Sequence, residues 1–310
     1  MQKLRARLIM LAQYGISLGL FWYVCKDIQF SVMLEGIKGY RLRWALVPCL
    51  LLALNYLFNG ARLWFISNRQ MPYAETLAAA LIGLGYNVIL PFKAGDMLKA
   101  AILGKGCAGG LAGAGAYVVW ERGFDVLILL ALLFCSLAGN VVSDKALIGL
   151  IALCGIVCFV ALKQFSGKLH AFYARFPASR FWGFIERAHT AGVDAVGFLW
   201  LCKAGVLTLL VWSLYFFYIF SGLVLIGGIK LTLFQGFSVF ALTAFGSALP
   251  LSPGSVGVFE AAMIYALSLY GIAGEQVVGI VLFLHCIELI PLALAAIFLM
   301  SRISKKTTAH

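Results

Sequence analysis

Apolar runs of 17 to 29 residues recur along nearly the whole of this 310-residue chain, and no polar stretch between them is much longer than about 35 residues. A run of about 20 apolar residues makes a helix about 30 Å long, which is the thickness of the hydrocarbon layer of a bilayer. Composition agrees, with 63% hydrophobic residues, 12% charged residues and a mean hydropathy of +0.99. A water-soluble core has no place for so much apolar surface. The chain is expected to be an integral membrane protein in which residues 1–310 form a single membrane domain, with no separate cytosolic catalytic domain.

The net charge of +12 does not indicate a nucleic-acid partner, because most Lys and Arg stand in short loops between apolar runs, where they act as orientation signals. The eight cysteines fall mostly inside apolar runs without paired metal-ligand spacing. They read as small packing residues, Cys154 and Cys158 on one helix face, and no metal or cofactor is expected. Lys3, Arg5 and Arg7 followed by an apolar stretch look like a signal sequence, but no small-residue cleavage site follows Tyr23. The segment is expected to stay as an uncleaved first span.

Six full spans are expected, at 8–25, 45–66, 111–138, 146–162, 199–226 and 275–300. Two further apolar regions, 74–104 and 232–270, are each interrupted, by Pro91-Phe-Lys-Ala-Gly95 and by Pro250-Leu-Ser-Pro-Gly-Ser-Val-Gly257. Non-helical backbone at membrane depth persists only where protein or a water-filled cavity satisfies its polar groups, so such breaks mark a pore or a binding site. Two ordinary hairpins with turns at the surface are the plainer alternative. Segment 95–104 has ten residues, enough for about half the bilayer, which favours a re-entrant hairpin in the first region. Both arms of the second approach spanning length. Between the fourth and fifth spans, segment 163–198 carries Lys163, Lys168, Arg175, Arg180 and Arg187. Phe181, Trp182, Phe184 and Ile185 interleave with Arg180, Glu186 and Arg187, which predicts an amphipathic helix on the cytoplasmic headgroups.

With that segment in the cytoplasm and each hairpin returning to its own face, both termini are cytoplasmic. Thirteen basic residues then lie inside and six outside, although the outer loop 26–43 carries four of the six. The broken regions also resemble one another. Leu90-Pro91-Phe92-Lys93-Ala94-Gly95 aligns with Leu249-Pro250-Leu251-Ser252-Pro253-Gly254 at an offset of 159. Arg122-x-x-Asp125 and His285-x-x-Glu288 occupy the spans that follow, at an offset of 163. This predicts an inverted repeat, 75–138 and 232–300, with a site at the midplane. Chance likeness of two Leu-Pro regions is the competing explanation. The predicted fold class is an all-α polytopic membrane protein of about six full spans plus two broken, re-entrant hairpins in an inverted repeat.

Few ionisable groups sit where water is scarce, and a charge at a helix centre costs about 3 kcal/mol, so each needs a cavity or a partner. Glu121 and Asp125 share a helix face and Arg122 reaches Asp125 at a spacing of three. They form either an internal ion pair against a helix bearing Arg62, or a headgroup contact at Arg122 oriented by the carboxylates. Lys93 and Lys99 flank a helix start opened by Gly95, with Asp96 beside it; they suit a phosphate, or snorkel to the interface. Ser252, Gly254, Ser255 and Gly257 offer backbone N–H groups to a substrate, and Glu260 stands one turn in, where the helix dipole favours a carboxylate. His285 is a core histidine or a proton-responsive group beside Glu288; His285, Glu288 and Arg62 are candidates for a proton or structural relay. No nucleophile and base stand at diagnostic spacing, so enzyme chemistry is not expected.

Three ordered motifs carry a resemblance: Asn87-x-x-Leu90-Pro91-Phe92-Lys93-Ala94-Gly95-Asp96, Glu121-Arg122-x-x-Asp125 and Pro253-Gly254-x-x-Gly257-x-x-Glu260. Over about residues 75–300 the chain resembles the flippase-like membrane family that includes the transmembrane region of bacterial lysyl-phosphatidylglycerol synthase. The resemblance implies a lipid translocase of a bacterial cytoplasmic (inner) membrane, in which the hairpins form a polar cavity for a phospholipid or lipid-linked headgroup, anionic or zwitterionic. The fused aminoacyl transferase of some members has no counterpart here, so synthesis of an aminoacyl lipid is not implied. Lys93 stands where the family usually has Arg, and Asp96 where Glu is common, so the headgroup and its geometry can differ. The alternative function is a non-transporting subunit that organises a lipid-dependent glycosyltransferase or lipid synthase through its amphipathic segment. A small-solute transporter lacks an evident coupling-ion site.

Overall fold

A computed structural model describes residues 38–138, 180–194, 196–272 and 275–308, together with 13–15, 17–20, 22 and 26 of the N-terminal stretch. The expected span 146–162, most of 8–25, and Lys163, Lys168 and Arg175 lie outside the described residues. Among the described residues all regular structure is helical. That is what a bilayer demands, since a helix satisfies its backbone groups internally.

Three stretches are long and apolar enough to cross a membrane: Leu42–Ile66, Phe198–Ile226 and Val277–Ser304. They contain helices α1 (Leu46–Ile66), α6 (Phe198–Ser221) and most of α9 (Glu275–Thr308), and they match the expected spans 45–66, 199–226 and 275–300. Helix α4 (Gly110–Ala138) has 29 residues, and its middle carries Glu121, Arg122 and Asp125.

Each broken region has the same local form. Helix α2 (Tyr73–Ile89) leads through a 3-10 turn, Pro91–Lys93, into the nine-residue helix α3 (Gly95–Leu103). Helix α7 (Leu233–Ala248), capped by Thr232 and Gln235, leads through the 3-10 turn Pro253–Ser255 into helix α8 (Val258–Ser268). Proline ends the helix in both because it lacks an N–H and forces the preceding residue to be extended, Leu90 at ψ 143° before Pro91 and Leu249 at ψ 130° before Pro250. Two left-handed residues follow, Phe92 (φ 59°) and Lys93 (φ 53°) in one turn, Gly254 (φ 59°) and Ser255 (φ 58°) in the other. A left-handed conformation costs a non-glycine residue roughly 1–2 kcal/mol, so tertiary contacts must hold three of these four.

The 3-10 turns match Pro91 to Pro253, an offset of 162, while the helix ends match Leu90-Pro91 to Leu249-Pro250 at the expected 159. Pro250 belongs to the longer descent from helix α7, and Leu249–Leu251 are the surplus residues of the second break.

Packing divides the chain into two compact units. The first comprises the described residues up to Leu57, Leu81–Asp96 and Val211–His310; the second comprises Phe58–Ala80 and Met97–Leu210. In the first, the two 3-10 turns touch each other, and helix α8 packs between α7 and α9. Phe216, Phe220, Phe237 and Phe240 form an aromatic core between α6 and α7. Gly85 of α2 meets Ala296 and the Leu292 carbonyl of α9 so closely that a Cβ has no room.

In the second unit, Gln70 after helix α1 donates to the Tyr117 hydroxyl (2.8 Å) and accepts from the Ala108 N–H (2.6 Å), joining the two ends of the first hairpin. The expected amphipathic helix forms as α5 (Arg180–His189). It and the π-turn Thr190–Asp194 pack on α4, where Trp120 Nε1 donates to the Gly192 carbonyl at 2.6 Å. Phe184, Glu186 and Arg187 stay exposed.

Candidate functional site

The second unit holds a buried network of five charges. Arg62, on helix α1, is 2% exposed; it donates to Asp125 Oδ1 (2.5 Å), Glu121 Oε1 (2.8 Å) and Asn59 Oδ1 (3.1 Å). Lys99, on helix α3, is fully buried and donates to the other oxygen of Glu121 at 2.6 Å. Arg122 donates to Asp125 Oδ2 at 3.1 Å, and its side chain remains 34% exposed. Glu121 and Asp125 lie one turn apart on α4, so each faces Arg62 while turning its second oxygen to another cation. Three helices are thereby tied at one point. Breaking such a pair strands a buried charge, which explains why every carboxylate here has two cationic partners.

The sequence placed these residues correctly on their helix face and named Arg62 as a partner. One reading changes: Lys99 is not snorkelling to the interface, because it is buried against Glu121. Asp125 is shared between Arg122 and Arg62, the arrangement of the ion-pair alternative.

The first unit holds the two breaks. Lys93 is half-buried and donates to the Ala248 carbonyl at the end of α7 (3.1 Å), a link from the first break to the second. Asn87 Nδ2 donates to Asp96 Oδ1 at 3.2 Å, closing the turn around Gly95. Ser255 Oγ donates to the Ser247 carbonyl (3.0 Å), and among the described residues the buried Ser252 hydroxyl has no hydrogen-bond partner. Glu260 Oε2 accepts from the Gly257 N–H at 2.8 Å, as a carboxylate in the first turn of α8 should. Its other oxygen lies 2.7 Å from His285 Nδ1, while His285 Nε2 lies 3.1 Å from the Gly254 carbonyl and Phe259 stacks on the ring.

His285 stands one turn from Glu288 as expected, but its hydrogen-bond partner is Glu260, which the sequence did not indicate. Glu288 is instead bound by the Tyr215 hydroxyl (3.0 and 3.1 Å). Tyr56 and Tyr218 donate to the Glu288 and Leu284 carbonyls of the same helix, which contains Pro291.

Sequence reasoning missed Gln13 and Ser17, whose side chains donate to the Pro250 (2.5 Å) and Val256 (2.9 Å) carbonyls of the second break. They stand four apart in an apolar run, the spacing of one helix face, which is the signal that marks them. Tyr56, Tyr215 and Tyr218 carried no such signal, because tyrosine is common at membrane depth for packing alone.

Long apolar helices, with a pair of touching helix breaks in one unit and a buried charge network in the other, are the marks of a multi-pass membrane protein. The family described as the lysylphosphatidylglycerol synthase TM region matches residues 10–296, and the chain belongs to it. No curated protein matches the chain.

Proposed function

We propose that the chain is a lipid translocase that carries a phospholipid or lipid-linked headgroup between leaflets, without catalytic chemistry of its own. The observation that carries this reading is the charge network of the second unit. Arg62, Lys99 and Arg122 gather on Glu121 and Asp125, and the Arg122 guanidinium stays partly open. A partly accessible guanidinium fork suits a phosphate oxygen. The headgroup meets Arg122 while the tails stay in hydrocarbon.

The hairpins are read as re-entrant and as an inverted pair, in a protein with about six full spans, both termini cytoplasmic, in a bacterial inner membrane. Three features support this. The two breaks share one backbone form; the ends of the first hairpin meet at Gln70, after helix α1; and the Ile226 carbonyl, at the end of the stretch leading to the second hairpin, accepts from the Arg41 N–H, before helix α1.

A non-transporting subunit that organises a lipid-dependent glycosyltransferase or lipid synthase is the second reading. It draws on the exposed Phe184 and Arg187 of helix α5.

Reconstitution decides. Purified protein in liposomes is expected to speed leaflet exchange of a labelled anionic phospholipid, and Arg122→Gln to abolish the gain. Exchange no faster than in empty vesicles, with an enzyme co-purifying through α5, overturns the translocase reading in favour of the subunit.

A further inference from the structure

We infer that Glu260 and His285 form a one-proton site that latches the second helix break, and that binding and release of this proton couple translocation to pH. The coupling rests on the translocase reading above; the latch does not.

The argument is a count of hydrogens. Nε2 of His285 faces the Gly254 carbonyl at 3.1 Å, and a carbonyl only accepts, so Nε2 carries a hydrogen. Glu260 already receives the Gly257 N–H on Oε2. The 2.7 Å contact between Nδ1 and Oε1 then requires one further proton, on the ring or on the carboxyl. Imidazolium with carboxylate, and imidazole with carboxylic acid, are the same composition: one proton, no net charge.

Remove that proton to water, and a nitrogen lone pair faces a carboxylate oxygen across 2.7 Å in a site where both side chains are nearly inaccessible. Moving the remaining hydrogen to Nδ1 restores the bond to Glu260 but turns a bare Nε2 to the Gly254 carbonyl. In either tautomer the deprotonated ring keeps one of its two bonds. The ring can therefore tie helix α8 to Gly254 only while loaded.

The groups around the ring leave the proton without a substitute. Glu288 lies one turn along the same helix, with Tyr215 on its carboxylate; Tyr218 from α6 and Tyr56 from α1 reach carbonyls of that helix. Cys286 is on the exposed side, and Lys93 from the neighbouring break is at the Ala248 carbonyl. Among the described residues no Lys or Arg pairs with Glu260.

What the latch holds is the junction of the two breaks. Gly254 is left-handed, and a Cβ on it would come within 3.2 Å of the Val88 carbonyl, in the last turn of helix α2. Freeing Gly254 from His285 lets the second break move against the first.

The test uses Glu260→Gln in the full-length protein in phosphatidylglycerol nanodiscs. The amide oxygen can accept from Gly257 and the amide N–H₂ can donate to Nδ1, so this variant keeps both ring bonds with a neutral imidazole and needs no extra proton. Hydrogen exchange of residues 249–258, corrected for its intrinsic pH dependence, is the readout. In the unaltered protein protection is expected to fall by about tenfold or more between about pH 5 and about pH 10, and in Glu260→Gln to stay high throughout. Equal pH dependence in the two, or none in the unaltered protein, overturns the proposal.

If Glu260→Gln fails to fold, ¹⁵N spectra of the His285 ring in the unaltered protein report the proton directly, and a ring in one state across that range overturns the site. A pH-dependent latch in a protein that moves no labelled lipid removes the translocase reading and keeps the site. Lipid exchange through a break indifferent to pH does the reverse.

Discussion

Arg62 engages both carboxylates of helix α4, so Arg62→Gln strands Glu121 and Asp125 with a single cation each. Loss of one member of a buried ionic group costs about 3–5 kcal/mol. A matching fall in unfolding free energy in detergent is expected. Arg122→Gln leaves Asp125 on Arg62, and at 34% exposure the guanidinium contributes about 1 kcal/mol or less to stability. It should stop lipid exchange while barely moving the unfolding midpoint. If Arg122→Gln unfolds as readily as Arg62→Gln, Arg122 is structural. The spacing of Glu121, Arg122 and Asp125 was legible because it is set within one helix. The burial of Lys99 against Glu121 was not, because it depends on how the helices approach one another, which no period in the sequence encodes.

At the scale of the element, the breaks are the features that propensity alone cannot hold. Gly95 opens helix α3 against the Gly83 carbonyl, with the Asn87 backbone nitrogen and side-chain oxygen each 2.7 Å from where a Cβ would stand. Gly95→Ala must push helix α3 off α2. It is expected to cost about 1–3 kcal/mol, read as a lower thermal midpoint, and to loosen the Asn87–Asp96 bond that closes the turn. A midpoint unchanged from the parent would show that the turn yields without cost. The two broken regions were visible in the sequence as Pro and Gly inside apolar runs. Their register was legible in part: the helix ends follow the shared letters Leu-Pro, Pro91 with Pro250, whereas the 3-10 turns pair Pro91 with Pro253. The left-handed residues that define the match, Phe92 and Lys93 on one side, are types that give no hint of that conformation.

For the whole molecule, the distribution of thirteen basic residues against six predicts an orientation with both ends in the cytoplasm. An impermeant thiol reagent applied to intact cells should leave Lys305→Cys unlabelled and label it only after lysis; strong labelling from outside reverses the topology. The apolar runs revealed the membrane class and the three long spans, since hydropathy needs no partner to be read. Division into two packed units was hidden, because their boundaries fall inside helices. The charge network has a further consequence for how the chain is made. Arg62 leaves the ribosome 59 residues before Glu121 and 63 before Asp125. Helix α1 therefore enters the bilayer with an uncompensated guanidinium, a cost of about 3 kcal/mol, until helix α4 has been synthesised. Insertion of this protein is then a joint event, with helix α1 retained at the translocon until its counter-ions arrive, and a nascent chain cut before residue 121 should release α1 from the membrane more readily than one cut after residue 125.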